Sequence, residues 1–392
     1  MKKYKNPKEV GKIIRNIPVI VILTSLLLPG CTGRPEAGID TINLQKTAAA
    51  ASDYNLGELI DDIEFVPLET NDSCLISFIR RAEKHNNIYF IHTGWELHAF
   101  SEDGRYLNSF GKKGRGPGEF GTIRDFAIHK ERDLVLLLTY NPNSVFVYRK
   151  SGEFLYSFPV EDVSAEEIEF GDEDEIVLMC ENLGGTAENS YLWYNIEGEL
   201  LAARPQYYGF VLTPVDGVYS AGPAGGFLIQ SREQLFTKDG LSDTIYSISG
   251  RGLVPQYIFS TEGLGFTPED RAVGKYLVQF LRTVWLLHHG NHLVVRIVSP
   301  DHGDILLFRN EKTGVDNAIR FAKKPKEDFY TALLNTMKPS SDGWFFTDMQ
   351  AVALKNLILN NPDTDESLKQ LATAIDENSN PVIVRFRLLP PG

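Results

Sequence analysis

Short apolar runs, each ended by a turn residue, recur along most of the chain, and three of them repeat as a block. Ile88-Tyr-Phe-Ile91 and Leu97-His-Ala-Phe100 precede the turn Asp103-Gly104, after which Tyr106-Leu107 resumes. Leu134 to Leu138 and Ser144-Val-Phe-Val-Tyr148 likewise precede Ser151-Gly152 and Phe154-Leu155. The turn glycines Gly104, Gly152 and Gly198 stand 48 and 46 residues apart, and the aromatics Phe100, Tyr148 and Tyr194 keep the same intervals. Apolar runs on both sides of a polar-Gly turn predict hairpins. A period of about 40–50 residues carrying about four short strands predicts the blades of a β-propeller.

Later copies are looser. Gly226-Phe-Leu-Ile-Gln230, Asp243 to Ile248 and Gln256 to Phe259 predict a fourth blade, and Val284 to Leu287, Leu293 to Val298 and Ile305 to Phe308 a fifth. Trp344-Phe-Phe346 and Pro381 to Leu388 supply a sixth, and Ile63 to Leu68 is the first strand, with Pro67 confined to an edge or strand end for want of an N–H. Two helical interruptions fall in the late blades. Thr267-Pro268-Glu269-Asp270 combines an N-cap, a proline at the first helical position and acids in the first turn, leading into Tyr276 to Phe280. Ala351 to Leu359 and Asp365 to Ile375 predict a helical pair. Setting about 40 residues aside for helices leaves about 49 per blade for six blades, which matches the measured interval; seven would leave about 42. The expected fold is all-β, a six-bladed β-propeller over residues 55–392 with helical insertions in the late blades.

The N-terminus has a different pattern. Lys2, Lys3, Lys5, Lys8, Lys12 and Arg15 precede an apolar stretch from Ile17 to Leu28, too short for a bilayer span of about 20 residues but suited to a secretory signal. Residues 1–30 therefore read as a signal peptide. Leu28-Pro-Gly-Cys31 resembles the lipobox of bacterial lipoproteins, which implies lipidation at Cys31, and residues 31–54, Ala- and Gly-rich without an apolar period, read as a tether. Removing residues 1–30 lowers Lys plus Arg from 39 to 33 and Asp plus Glu from 52 to 51, so net charge moves from −13 to −18. That balance repels phosphate and excludes nucleic acid as a partner, and it leaves the acyl chain as the means of holding a membrane. Cys74 and Cys180 border apolar strands and read as core thiols.

Phe65-Val-Pro-Leu-Glu-Thr70, Gly114-Arg-Gly-Pro-Gly-Glu-Phe120, Asp243-Thr-Ile-Tyr246 and Asn380-Pro-Val-Ile-Val384 together resemble the six-bladed propeller lipoproteins of Gram-negative envelopes, relatives of propellers built from NHL repeats. The resemblance implies closure between the strand near Phe65 and the last one near Val382. It also implies an envelope address, at the outer membrane, facing either the periplasm or the surface.

Candidate chemistry is sparse. Gly111 to Gly118 is glycine-dense, but a phosphate cradle needs a helix to follow and usually Gly-Lys-Ser/Thr; here Phe120 to Ile128 reads as a strand. The segment is expected to connect two blades, with Phe120 packed inward. Lys112, Lys113 and Arg115 offer cations on a ligand-facing loop, and Trp95 and Trp285 offer rings that stack on sugars. His288 and His292 have the i, i+4 spacing of a helical zinc site, but Gly290-Asn291 puts them on a hairpin, where they read as exposed turn histidines, His288 joining the candidate ligand face. Glu169 to Glu175 is acidic without the ligand order of an EF-hand and reads as a solvated turn. No Gly-x-Ser-x-Gly accompanies any of these.

The expectation is a binding or scaffold module without catalysis or a required cofactor, whose partner is an envelope protein, a peptide or a glycan. The alternative is a calcium-dependent propeller hydrolase or lactonase. Its Glu, Asn and Asp ligands in the central channel would come one per blade and leave no local motif.

Overall fold

The computed structural model describes residues 39–116, 118–214, 225–321, 329–359 and 366–391. The chain divides into two units, 1–38 and 39–392, and the described residues all lie in the second. The signal segment, Cys31 and the first part of the tether fall outside them.

Six antiparallel sheets follow one another as blades of a propeller. Blade 1 holds the strands Arg81–His85, Ile88–His92, Leu97–Ser101 and Tyr106–Phe110. Blade 2 runs from Thr122–Ile128 to Phe154–Pro159, and blade 3 from Ala165–Phe170 to Leu200–Pro205. Blade 4 runs from Phe227–Ser231 to Gly252–Ser260, and blade 5 from Arg282–His289 to Asp316–Phe321. Blade 6 takes Lys338–Pro339, Phe345–Met349 and Val382–Leu388 from the end of the chain and its outermost strand, Ile60–Pro67, from the beginning. Val384 pairs with Phe65 and Ile383 with Val66, so the ring closes where the resemblance implied.

The buried side chains fall into six clusters, one for each seam between neighbouring blades. The strand period of two produces this arrangement directly. On the second strand of blade 2, Val135 and Leu137 enter the seam with blade 1, while Leu136 and Leu138 enter the seam with blade 3. The middle strands are thus apolar on both faces, which is why the sequence shows apolar runs rather than alternation.

The repeating glycines have a steric reason. Gly104, Gly152 and Gly198 all have positive φ, between 81° and 90°. An added Cβ would lie 2.1 Å from the Pro67 carbonyl oxygen at Gly104, 2.6 Å from the Asn108 side chain at Gly152 and 2.3 Å from the Phe158 ring at Gly198. Each contact is with the outermost strand of the preceding blade, so the interval of the glycines measures the approach of blade to blade.

Two elements differ from expectation, one near the N-terminus and one late in the chain. Residues 40–53 are folded rather than a tether. Asp40–Asn43 pairs in parallel with the outer strand of blade 4, a short helix Leu44–Ala50 follows, and Ser52–Asp53 pairs in parallel with the outer strand of blade 5. The helix is capped by the Asn43 side chain accepting from the Lys46 N–H, and Ile42, Leu44, Ala48 and Ala51 are buried in the seam between those blades. A helix at Phe329–Thr336 was also not foreseen. The remaining helices fall where expected: Pro268–Ala272 with a capping box from Thr267 and Asp270, then Ala351–Leu359 and Glu366–Ala374.

Candidate functional site: the central channel

The innermost strands surround a channel. Their first residues line one mouth, of about 250 Å³, and their last residues and following turns line the other, of about 570 Å³. Arg81 borders both and divides them. One guanidinium nitrogen, Nη1, donates to Asp125 Oδ1 at 2.8 Å and to the Phe126 carbonyl at 2.9 Å. The other, Nη2, reaches Glu83 Oε1 at 3.2 Å and Glu169 Oε2 at 3.3 Å, and the group lies 4.8 Å from the centre of the Phe126 ring. The three carboxylates belong to blades 1, 2 and 3. Glu83 Oε2 in turn accepts from the Ser340 hydroxyl at 2.9 Å and from the Ser341 N–H and hydroxyl at 3.1 and 3.0 Å, which ties in blade 6. Asp125 Oδ2 accepts the Ile168 N–H at 3.1 Å. One cation therefore joins the inner strands of half the ring.

Electrostatics follow from enclosure. Burial raises the Glu169 carboxyl to about 7, against the attraction of Arg81. Burial also raises Glu167 well above the usual carboxylate range, with Asp125 and Glu181 adding to it; its Oε2 accepts only the Leu228 N–H, at 2.5 Å. Opposite these acids stand Phe227, Leu228 and Ile229 of blade 4, Trp285 of blade 5 and Phe346 of blade 6, joined by Lys338 of blade 6, whose ammonium donates to the Ile79 and Arg80 carbonyls.

At the wider mouth His129 accepts the Glu131 and Arg132 N–H groups on Nδ1, at 3.2 and 2.9 Å, so Nε2 carries the proton and donates it to Asp174 at 2.6 Å. Both ring nitrogens are engaged, and His129 has no lone pair left to act as a base. Arg132 pairs with the same Asp174. Glu173 and Asp174 both hold positive φ, 54° and 63°, an uncommon conformation for side chains of this type, and they shape the rim. The cavity is lined by six carboxylates against three Lys and Arg side chains.

Among the described residues no group of three or more His, Cys, Asp or Glu side chains is arranged to hold a metal ion. The carboxylates that approach one another, Glu83, Asp125 and Glu169, turn toward the guanidinium, which lies where an ion coordinated by all three would have to sit. These residues do not fit a calcium site.

The residues singled out in the sequence are dispersed. Lys112–Lys113 and Glu119–Phe120 pair as a short parallel ribbon, the connector forms no helix, and Phe120 packs inward on Phe146 at 5.3 Å as expected. Lys113 Nζ lies 4.4 Å above the Trp95 ring, which is 49% exposed, and Lys112 and Arg115 are exposed beside it. Trp285 is only 6% exposed and packs on Phe345 with ring centres 5.1 Å apart, although it borders the narrower mouth. His288 is not an exposed turn residue. It is 5% exposed at the far end of its strand, bonded to the Ser231 and Tyr257 hydroxyls at 3.0 and 3.2 Å, and burial lowers it to about 4. Nor is Glu169 part of a solvated turn, since it ends an inner strand inside the channel. Cys74 and Cys180 are free and buried.

Sequence reasoning missed Arg81, Glu83, Asp125 and Glu167. The signal lay in alternation: Arg81 and Glu83 are two apart on one strand, Glu167 and Glu169 on another, which places each pair on one edge of its blade.

The architecture defines a six-bladed β-propeller whose channel gathers acids on the side of blades 1–3 and faces them with apolar side chains and Lys338. Residues 39–387 match the family described as a domain of unknown function, DUF4934, and the chain belongs to it. No curated protein matches. Two solved structures share the fold. A protein of Bacteroides fragilis described as exported is 17% identical, with a TM-score of 0.69, and the match covers 87% of this chain and 98% of that one. A member of the DUF4221 family from Bacteroides vulgatus is 12% identical, with a TM-score of 0.50, over 84% of this chain and 97% of that one. Among the described residues no helix is long and apolar enough to cross a membrane.

Proposed function

We propose that this protein is a lipid-anchored propeller of the cell envelope, acting as a binding or scaffold module without catalysis, and that the wider mouth of its channel receives the ligand. The observation that carries this reading is the engagement of the channel's acids and of His129. Glu83, Asp125 and Glu169 are occupied by Arg81, and His129 by two backbone donors and Asp174, which builds a recognition surface and leaves none of these four groups free to act as a nucleophile or base. The guanidinium among those acids also weighs against the calcium-dependent hydrolase.

The excess of carboxylates around the wider mouth favours a ligand carrying positive charge and hydrogen-bond donors, such as a basic peptide segment of an envelope protein. The test uses a lysine-rich peptide in a titration at low and moderate salt. Glu131→Lys and Glu173→Lys, both exposed at the rim, are expected to weaken binding about ten-fold, about 1.4 kcal/mol, whereas Glu197→Lys on an exposed turn of blade 3 leaves it unchanged. Equal loss in all three variants would mean a response to net charge alone and would remove the site. Anchoring is tested separately: Cys31→Ser is expected to move the protein from the membrane pellet to the soluble fraction, and retention in the pellet would refute the lipid anchor.

A further inference from the structure

The narrower mouth lies on the other side of Arg81 from the site above, and its construction is independent. Backbone irregularities recur there: the inner strands of blades 2, 3 and 5 each shift register near their start, between Ile123 and Asp125, Ala165 and Glu167, and Thr283 and Trp285. A bulge re-aims side chains, so that consecutive residues such as Glu166 and Glu167 border one cavity instead of alternating. Glu166 has Arg124 at 3.2 Å, but among the described residues Glu167 has no cation bonded to it, and burial raises both acids. On the rim, the exposed Arg80 side chain has no hydrogen-bond or ion-pair partner among the described residues.

Two further side chains on this cavity are more than nine-tenths buried and incompletely satisfied. His92 Nε2 sits 3.2 Å from the Ile123 carbonyl and so carries the proton, which leaves Nδ1 as an acceptor, and that atom has no partner. The Trp285 Nε1 donor has none either. Both atoms are closed off from the cavity itself, so the polar groups that face an occupant are Glu166, Glu167 and Arg80. An occupant must supply donors to Glu167, an acceptor to Arg80, and an apolar part for Phe227, Trp285 and Phe346, beside which Lys338 also lines the cavity.

We propose that the narrower mouth binds a small zwitterion of the α-amino-acid type, its ammonium between Glu166 and Glu167, its carboxylate toward Arg80, and its apolar side chain against Trp285 and Phe346. A cavity of about 250 Å³ lies just below the usual range for drug-sized ligands, about 300–1,000 Å³, and suits a single amino acid.

The test is calorimetric titration and thermal shift of the full chain with L-leucine and L-phenylalanine. Isoamylamine, which lacks the carboxylate, and N-acetyl-leucine, which lacks the ammonium, serve as comparisons. Saturable one-site binding of at least one amino acid is expected, with each comparison compound at least about ten-fold weaker. Glu167→Gln is expected to weaken binding at least about ten-fold without changing the unliganded melting temperature. If that variant does not fold, the exposed Arg80→Gln carries the same expectation. Absence of binding by both amino acids at millimolar concentration would overturn the proposal, as would an amine that binds as tightly as leucine, or binding that neither variant weakens. None of these outcomes bears on the lysine-rich peptide at the wider mouth.

Discussion

Blades 1–3 and blades 4–6 are built by different means. In the first half each blade is four consecutive strands, and its outer strand, Tyr106–Phe110, Phe154–Pro159 or Leu200–Pro205, pairs on one side only. In the second half the outer strands of blades 4 and 5 are paired by residues 40–43 and 52–53, and blade 6 lacks an outer strand until Ile60–Pro67 supplies it. The channel divides similarly. Blades 1–3 provide Arg81, Glu83, Asp125, Glu167 and Glu169, and blades 4–6 provide Phe227, Trp285 and Phe346. The half held together locally carries the buried charge at the axis, where Arg81 acts as its internal counterion. The half held by distant pairing is mainly apolar at the narrower mouth, where its one cation, Lys338, donates to the Ile79 and Arg80 carbonyls, and it contributes Asp342 at the wider one. Charge at the axis is tolerated where a single cation can be shared among neighbouring strands.

This contrast can be broken first at Arg81. Arg81→Ala strands Glu83, Asp125 and Glu169 without their cation, and the expected loss is about 3–5 kcal/mol in denaturant unfolding, with hydrogen exchange rising in blades 1–3 before blades 4–6. Leu44→Ala is the converse experiment. It opens the seam between blades 4 and 5, should cost about 2–5 kcal/mol, and should raise exchange in those blades first. If both variants loosen the ring uniformly, the division into halves fails.

Gly104→Ala acts on the joint between them, since an added Cβ meets the Pro67 carbonyl at positive φ; at least about 1–2 kcal/mol of destabilisation is expected, readable as a lower unfolding midpoint. A pH series separates the charged half. Glu169 has its folded pKa raised from 4.5 to about 7, so its contribution is fully present below about pH 4.5 and is lost as pH rises toward 7. Glu169→Gln should flatten that limb and exceed the native protein by about 1–3 kcal/mol above pH 7. His92 works in the other direction. Its folded pKa is lowered from 6.5 to about 4 by burial, so stability is lost as pH falls through that window. The smallest effect is expected at the exposed Lys113–Trp95 contact, where Lys113→Ala should stay within about 0.5–1 kcal/mol and leave both halves unchanged.

The first half was legible because each of its blades is a local repeat. Gly104, Gly152 and Gly198 recur at the positions where one blade touches the next, so the spacing of a single residue type reports the architecture. The helix at 44–50 was hidden by its own composition, because Lys46-Thr-Ala-Ala-Ala50 reads as a spacer. Asn43 as cap and the burial positions of Ile42, Leu44 and Ala48 were the available signs. The channel was hardest to read. Arg81, Asp125 and Glu169 are 44 residues apart at each step, and only the ring brings them within 3.3 Å of one guanidinium. Lys112, Lys113 and Arg115 stood out for local density, which is unrelated to position on the axis.

The pairing of residues 40–67 with blades 4, 5 and 6 sets an order of events. A ribosome makes this stretch before its partners, so it must wait, unmated, through the synthesis of about 200 to 310 intervening residues before it can be fastened. A chain cut short anywhere before Val382–Leu388 would leave Ile60–Pro67 as a naked strand with no neighbour, a seed for aggregation. The clasp thus makes the covering of Ile60–Pro67 conditional on the synthesis of Val382–Leu388.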